Sequence, residues 1–441
     1  MATIGANNRP RKVRWLLGFG ILLLVAGVAL LWLRDTAPAA RPFAVPGSQD
    51  SSPFAAYLDD KGAQTLSDRL NTQLMTSSGL VSWYQQAQEE LGIPAQWSHK
   101  LIAQDQLLYG SWLAERGEQR SFAQWNEQFR AGFISPDGLV YAERTLTPES
   151  VPEKLSEPGS VVELEPVADE MVSWSDSLHY FRVLALAYDH WPQDELDLQE
   201  KALAANVARV LGTNLEPDQV VAIPTSAPTM DPAATPTPRP QSTVESADAG
   251  FARDPVIRLA SLDLLALRAL ADLEPDLANR YAEAVALVRG GLISDSLPLY
   301  AYGYATLQQG YVRFVSTAPV VDLADSLTCA LHLAEIGELD PRTLSWLVEQ
   351  LLNDHALYAS YHIAQGQAST AQESLDGLAL TARIARIANH EQLYRKAVDR
   401  LQWHRATSPT SSVLDAVFRQ DSQGIVTITA RDNLLALLAL S

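Results

Sequence analysis

Six times along this chain an Asp stands two residues before a Leu at the head of a long apolar run. The six are Asp105-Gln-Leu, Asp176-Ser-Leu, Asp263-Leu-Leu, Asp325-Ser-Leu, Asp376-Gly-Leu and Asp432-Asn-Leu. The triplet alone constrains little, because Asp68, Asp137, Asp194, Asp295 and Asp399 also have a Leu two residues on. What marks the six is the run that follows, as with Leu327, Ala330, Leu331, Leu333 and Ala334 after Asp325. Apolar residues at that spacing cover nearly the whole circumference of a helix, so each such helix must be enclosed by protein. Most are followed by a second, more polar helical stretch. Buried helices alternating with half-exposed ones, six pairs deep, predict an all-α (α/α)6 toroid with short β-hairpins. In such a ring the inner helices pack on one another and their N-terminal ends line a central pocket.

The N-terminus carries an address. Arg9, Arg11, Lys12 and Arg14 precede Trp15–Leu33, nineteen residues without a charge. About 20 apolar residues span a bilayer, Trp15 and Trp32 mark the two ends, and a basic flank stays cytoplasmic. The reading is a cytoplasmic tail over 1–14, a single transmembrane helix over 15–33, and a large extracytoplasmic domain held at the cell membrane. A cleaved signal peptide competes, since Ala37-Pro-Ala39 offers small residues after the run. A signal's apolar core is usually ~7–15 residues, shorter than this one. Residues 34–53, rich in Pro, Ala and Ser, read as a flexible tether.

The net charge of -19 argues against nucleic acid and against anionic lipid headgroups as partners, because both would be repelled. The single cysteine, Cys329, excludes an intrachain disulfide and a cysteine-based zinc cluster, and its apolar context makes it a small buried hydrophobe. There is no phosphate-cradling glycine loop, no His-Glu-x-x-His and no Gly-x-Ser-x-Gly, and the eight His are scattered. Neither a metal nor a cofactor is expected.

The domain is read as 54–441, interrupted by a disordered insertion over 216–252. That stretch is dense in Pro, Thr, Ser and Ala, with no aromatic until Phe251, so it cannot bury enough apolar surface to offset its ordering. Two Asp-headed helices precede it and four follow; neither half closes a six-pair ring, which favours one domain over two. Hairpins are expected at Phe133–Tyr141, at Leu297–Tyr300 with Tyr311–Phe314, and at Gly424–Thr429. Pro136-Asp-Gly138 supplies a turn, with a fixed φ followed by a permissive Gly.

What remains for chemistry is acids and aromatics. Asp at a helix start is a favoured N-cap, worth roughly 1 kcal/mol, and Asp325, Asp376 and Asp432 are assigned to that role. A ring of such starts also gathers carboxylates around one cavity, and two carboxylates flanking a glycosidic bond are what acid–base hydrolysis requires. Arg182, inside an apolar helix, predicts an inter-helix ion pair. Trp112 and Trp125 read as core packing.

Gln104-Asp-Gln-Leu-Leu-Tyr-Gly110, with Gly117, Phe122, Trp125 and Phe133-Ile-Ser-Pro-Asp-Gly138, resembles glycoside hydrolase family 8. It is similar in particular to an exported branch found with bacterial exopolysaccharide genes. The family opens Ser-Glu-Gly-Gln-Ser-Tyr-Gly, and Asp105 stands where its general-acid Glu would be. Asp176, Leu178, Arg182, Ala187 and Trp191 match a second family element, in which Ser177 replaces a second Asp. The resemblance implies a six-hairpin glycosidase acting on a bacterial exopolysaccharide, with Asp105 as acid. Asp263 is chosen as second catalytic carboxylate, and Asp176, Ser177, Tyr109 and Trp174 as substrate-binding residues. An Asp in place of Glu ends ~1.5 Å short, and misplacement of that order can cost about 100-fold in rate. The two acidic changes therefore leave a second reading open: a catalytically degenerate glycan-binding or scaffolding component of a polysaccharide secretion or envelope assembly. The partners expected are a poly- or oligosaccharide, the membrane through the N-terminal helix, and exopolysaccharide synthesis or secretion proteins.

Overall fold

The computed structural model describes residues 43–46, 54, 58–88, 92–147, 163–166, 172–212, 215, 217, 219–224, 251–315 and 318–441; of 219–224 and 251–253 it describes the backbone alone. The basic tail 1–14 and the apolar run 15–33 lie outside the described residues. Among the described residues, no helix is long and apolar enough to cross a membrane.

Each of the six marked aspartates begins a helix that is buried on most sides. These inner helices are α2 (Ala103–Glu115), α4 (Trp174–His190), α6 (Leu264–Leu273), α8 (Leu323–Glu335), α10 (Leu375–Ile387) and α12 (Ala430–Leu440). The Leu of each triplet is sealed in the core: Leu107, Leu178, Leu265, Leu327, Leu378 and Leu434 are all at most 2% exposed. Successive inner helices touch, and α12 returns to α2, so the inner layer is a closed ring.

The outer layer is α3 (Gln119–Phe133), α5 (Asp194–Leu211), α7 (Ala278–Gly290), α9 (Pro341–Val348) and α11 (Glu391–Trp403), each following its inner partner in the chain. In α3 only one face is apolar, with Phe122, Trp125, Phe129 and Phe133 buried at helical spacing. The inner helix beneath it accommodates this face at Gly110, where a Cβ would stand 2.2 Å from the Trp125 ring. The sixth pair is assembled from the two ends of the described domain. Among the described residues the outer partner of the inner helix α12 is α1 (Asp60–Gln73), which buries Ala63, Leu66 and Leu70.

Short strands lead into five of the six inner helices, at Lys100–Ile102, Val172–Ser173, Phe251–Arg258, Val320–Asp322 and Val426–Thr429. Their hairpins gather on the N-terminal face of the ring. The first expected hairpin is present, with Ile134 bridging Val140 and Gly138 at φ 75° in the turn. The second is displaced: Gly303–Ala305 pairs with Gly310–Val312. In the third, Val426–Thr429 pairs with Arg419–Gln420 and also with the distant strand Trp83–Gln85.

Two readings of the connecting segments change. Within the 34–53 tether, Phe43 and Val45 are buried against the ring, because an aromatic and a β-branched residue find an apolar seat there. Within the 216–252 insertion, Gln219–Pro224 pairs antiparallel with Phe251–Arg258, so the two ends of that stretch belong to a four-stranded sheet. Val, Val and Ile at 220, 221 and 223 supply the strand propensity that the low-complexity centre lacks.

The register sets Phe251 opposite Pro224, about 4.5–5.5 Å apart in an antiparallel pair. Replacing residues 225–250 with a two-residue Asn-Gly turn is expected to leave the thermal midpoint and the far-ultraviolet spectrum unchanged. A chain that instead falls into two separately melting units would refute the single-ring architecture.

Candidate functional site at the inner-helix N-termini

Four of the marked aspartates share one position. Asp105, Asp176, Asp325 and Asp432 are each the third residue of their helix. The caps are other residues: Ser173, Asp322, Ser374 and Thr429 accept from the amides of Asp176, Asp325, Gly377 and Asp432. The assignment of Asp325, Asp376 and Asp432 as caps is therefore corrected. They are first-turn acids facing the positive end of the helix dipole, while the hydroxyls and the Asp322 carboxylate that precede them close the end. Asp263 alone among the six is a cap, accepting from the Ala266 amide at 3.0 Å.

An axial cavity descends from this face, with about 860 Å³ of empty space counted out to the solvent at its mouth. Near the face it is lined by Gln104, Ser175, Asp176, Arg258, Asp325 and Arg431, and at its far end by Glu115, Arg383 and Leu438. No Phe, Tyr or Trp side chain lines it among the described residues. A groove beside the mouth, sharing Asp325, does present rings, from Tyr302 and Phe314.

Midway down the cavity the inner helices are joined by charge. Arg182 of α4 forks onto Glu335 of α8 at 2.6 and 2.7 Å and reaches Asp263 of α6 at 3.1 Å. Arg383 of α10 lies 3.9 Å from Glu335 and 3.3 Å from Glu115 of α2. Burial opposes the charge on Arg182, but its two carboxylates hold it protonated far above its ordinary range. Burial likewise pushes Asp263 upward, and Arg182, followed by His332 and His179, pulls it further down, to about 2. His179 is pushed down to about 4 chiefly by burial, and His332 is also lowered for that reason. The Nδ1 of His332 has no hydrogen-bond partner.

Asp105 behaves in the opposite way. It is 5% exposed, and its carboxylate has no hydrogen-bond partner among the described residues. Burial raises it most, Arg431 opposes, and the nearby Asp432 and Asp176 raise it again, to about 7. The other acids of this face are engaged. Asp325 pairs with Arg258, Asp432 takes both arms of Arg419 at 2.6 and 2.7 Å, and Asp376 accepts from the Ser374 hydroxyl.

The structure sets Asp105 and Asp176 close enough for their charges to interact, although Asp176 lines the cavity and Asp105 does not, and it separates the other residues singled out from sequence. Asp263 belongs to the buried ion set. Ser177 is fully buried, donating to the Ser173 carbonyl and accepting from the Val140 amide, so it pins the first hairpin and does not face ligand. Tyr109 stacks on Trp112 at 5.8 Å and donates to Asn71 of α1, a packing role between layers. Trp174 is 7% exposed and does not line the cavity. The periodicity of α4 marks Arg182 as an ion-pairing residue, and the structure agrees. Arg258, Arg419, Arg431, Asp322 and the His179–His332 pair went unnoticed; they lie on hairpins or inside apolar runs where no spacing rule singles them out. Among the described residues no cluster of three or more His, Cys, Asp and Glu is placed to hold a metal ion.

Two expectations follow. Arg182→Met leaves buried Asp263 without a counter-ion and Glu335 with only Arg383 at 3.9 Å, and its unfolding free energy by urea titration should fall by about 3–5 kcal/mol. A loss below ~1 kcal/mol would mean that water already solvates the set. For Asp105, the folded-state value lies above the ordinary 3.8, so the unfolded chain ionises first. Stability is then full below about pH 4, falls as pH rises toward 7 and levels off above it, by an amount on the order of 4 kcal/mol. Asp105→Asn should melt higher than the wild type at pH 8 and together with it at pH 4. Parallel melting curves at both pH values would contradict the raised value.

No family model matches the chain, and no curated protein matches it in sequence. Solved structures do match in shape. One is described as a novel alpha-amylase from Clostridium perfringens, 18% identical with a TM-score of 0.63 over 86% of this chain and 97% of that one. PssZ from Listeria monocytogenes is 14% identical, with a TM-score of 0.52 over 92% and 97%. A cold-adapted family 8 xylanase solved in complex with substrate is 9% identical, with a TM-score of 0.54 over 92% and 96%. The chain has the (α/α)6 six-hairpin fold of the family 8 glycosidases.

Proposed function

We propose that this is a membrane-anchored, extracytoplasmic protein that engages a bacterial exopolysaccharide across the N-terminal face of the ring and cleaves it by acid–base hydrolysis. Asp105 is the proton donor. The observation that carries this reading is its carboxyl, held near pH 7 by burial and by the neighbouring Asp432 and Asp176. A group that keeps its proton near neutrality can deliver it to a departing glycosidic oxygen, and its Brønsted efficiency is greatest there. Similarity of fold to structures named as an amylase and a xylanase supports a polysaccharide as the ligand.

The second carboxylate is better sought at Asp176 than at Asp263. Asp176 lines the cavity and its charge acts on Asp105, whereas Arg182 and the Ala266 amide occupy Asp263 and leave it a weak base. The rings beside the mouth, Tyr302 and Phe314, are the candidates for stacking a sugar in place of Tyr109 and Trp174.

A second reading, glycan binding without turnover, draws on two observations. Among the described residues no Phe, Tyr or Trp ring lines the cavity, and ion pairs hold Asp325 and Asp432. A reducing-end assay on the full chain across a panel of bacterial exopolysaccharides separates the two. Under the hydrolytic reading the rate declines as pH rises through about 7. Asp105→Asn abolishes it, and Asp105→Glu keeps or improves it by restoring the missing methylene. Unchanged turnover in Asp105→Asn would remove Asp105 from the mechanism. Glycan retention with no turnover in the wild type would establish the binding role, and no retention at all would reject both readings.

A further inference from the structure

The membrane-anchor reading acquires a geometry from four residues that sit apart from the acid-bearing face. Phe43 and Val45 are buried, 7% and 2% exposed. Val45 and Pro46 lie against Glu115, Arg383, Arg386, Ile387 and Leu438. These contacts come from the C-terminal ends of three inner helices. Glu115 is the last residue of α2, Ile387 the last of α10, and Leu438 lies two residues from the end of α12. The chain therefore enters the domain beneath the ring, at the end of the axis opposite Asp105, Asp176 and Asp325. Phe54, further along, is also fixed, edge-on to Tyr394 in the first turn of α11.

Only residues 34–42, nine in all, separate this docked segment from the apolar run that ends at Leu33. Nine residues reach at most about 30 Å when fully extended. Inner helices of 13 residues such as α2, α8 and α10 are about 20 Å long. A flexible chain of nine residues spans about 15–18 Å on average, less than a helix length, so attachment at the lower end favours that end facing the bilayer, with the acid-bearing face a helix length farther out.

We infer that the toroid stands on the membrane by the C-terminal ends of its inner helices, with its acid-bearing face turned outward, and that docking of Phe43–Pro46 sets this orientation. The partner surface is the bilayer holding residues 15–33, so the inference rests on the anchor reading; it does not depend on any catalytic role of Asp105. A polymer approaching from outside meets the open face directly, and the narrow gap beneath the ring does not have to admit it.

The test uses the full chain in phosphatidylcholine vesicles carrying a headgroup energy-transfer acceptor. A donor dye is placed at Gln119→Cys, exposed at the start of α3 beside the end of α2, or at Gln423→Cys, exposed on the hairpin before α12. Cys329 is buried and stays unlabelled. Transfer from position 119 is expected to exceed transfer from 423 severalfold, and Asp105→Asn should leave the ratio unchanged. Val45→Asp, checked by thermal melting to be folded, should bring the two positions toward equality by releasing the docked segment. Equal or inverted transfer in the otherwise unmodified chain overturns the orientation. A chain that fails to enter the vesicles overturns the anchor on which it rests. A ratio insensitive to Val45→Asp removes the docked segment as its cause.

Discussion

The ring depends on one buried constellation. Arg182, Glu335, Asp263, Arg383 and Glu115 come from five different inner helices and meet around the axis. Apolar packing alone would let inner helices slide along one another, since Leu and Ala fit Leu and Ala in many registers. A forked Arg–Glu contact admits very few geometries, because displacement leaves a charge buried without its partner. The constellation therefore acts less as a source of net stability than as a device that fixes how high each helix stands. That height decides where each N-terminus ends, and so where the acids of the open face are presented.

On that face the same residue type does three different things. Asp263 closes a helix and is held ionised by Arg182. Asp325 and Asp432 neutralise arginines brought in by the hairpins, Arg258 and Arg419. Asp105 is left among other carboxylates, with only Arg431 opposing burial, and it keeps its proton. The difference between a cap, an ion-pair partner and an acid is made by neighbours, as is usual where titratable groups share a confined site.

Much of the architecture is legible from periodicity. All six apolar runs are inner helices, their leucines are buried, and the Pro136-Asp-Gly138 turn has the geometry that its residues demand. Resemblance to a known family added Asp105 as the acid position. The failures have physical causes. Caps were misassigned because the Asp-x-Leu pattern fixes where a helix begins only to within a turn, and Ser173, Asp322, Ser374 and Thr429 lie two or three residues upstream. Ser177 stands where the resembling family has a second Asp, but it directly follows Asp176, and adjacent helix residues point to different sides. Tyr109, four residues from Asp105, shares its side of the helix, but its ring is taken up by Trp112 and its hydroxyl by Asn71. The arginines that answer the acids come from hairpins whose pairing is long-range, which no local pattern specifies.

The sixth helical pair has a consequence for how such a molecule comes into being. Helix α1 lies at the start of the described domain, and the inner helix it packs on most, α12, lies at its end. At synthesis rates of 5–20 residues per second, the roughly 350 residues between them take about 20–70 s to emerge. Throughout that interval the face of α1 that packs on α12, including the apolar side that buries Leu66 and Leu70, lacks its full cover. The ring cannot shut in stages: five pairs form an open horseshoe, and α12 must find α1 across the length of the domain. Closure is therefore a single late event between distant segments, of the kind that makes folding slow. Until it occurs, the apolar side of α1 is the surface most exposed to capture by chaperones or by a second unfinished chain.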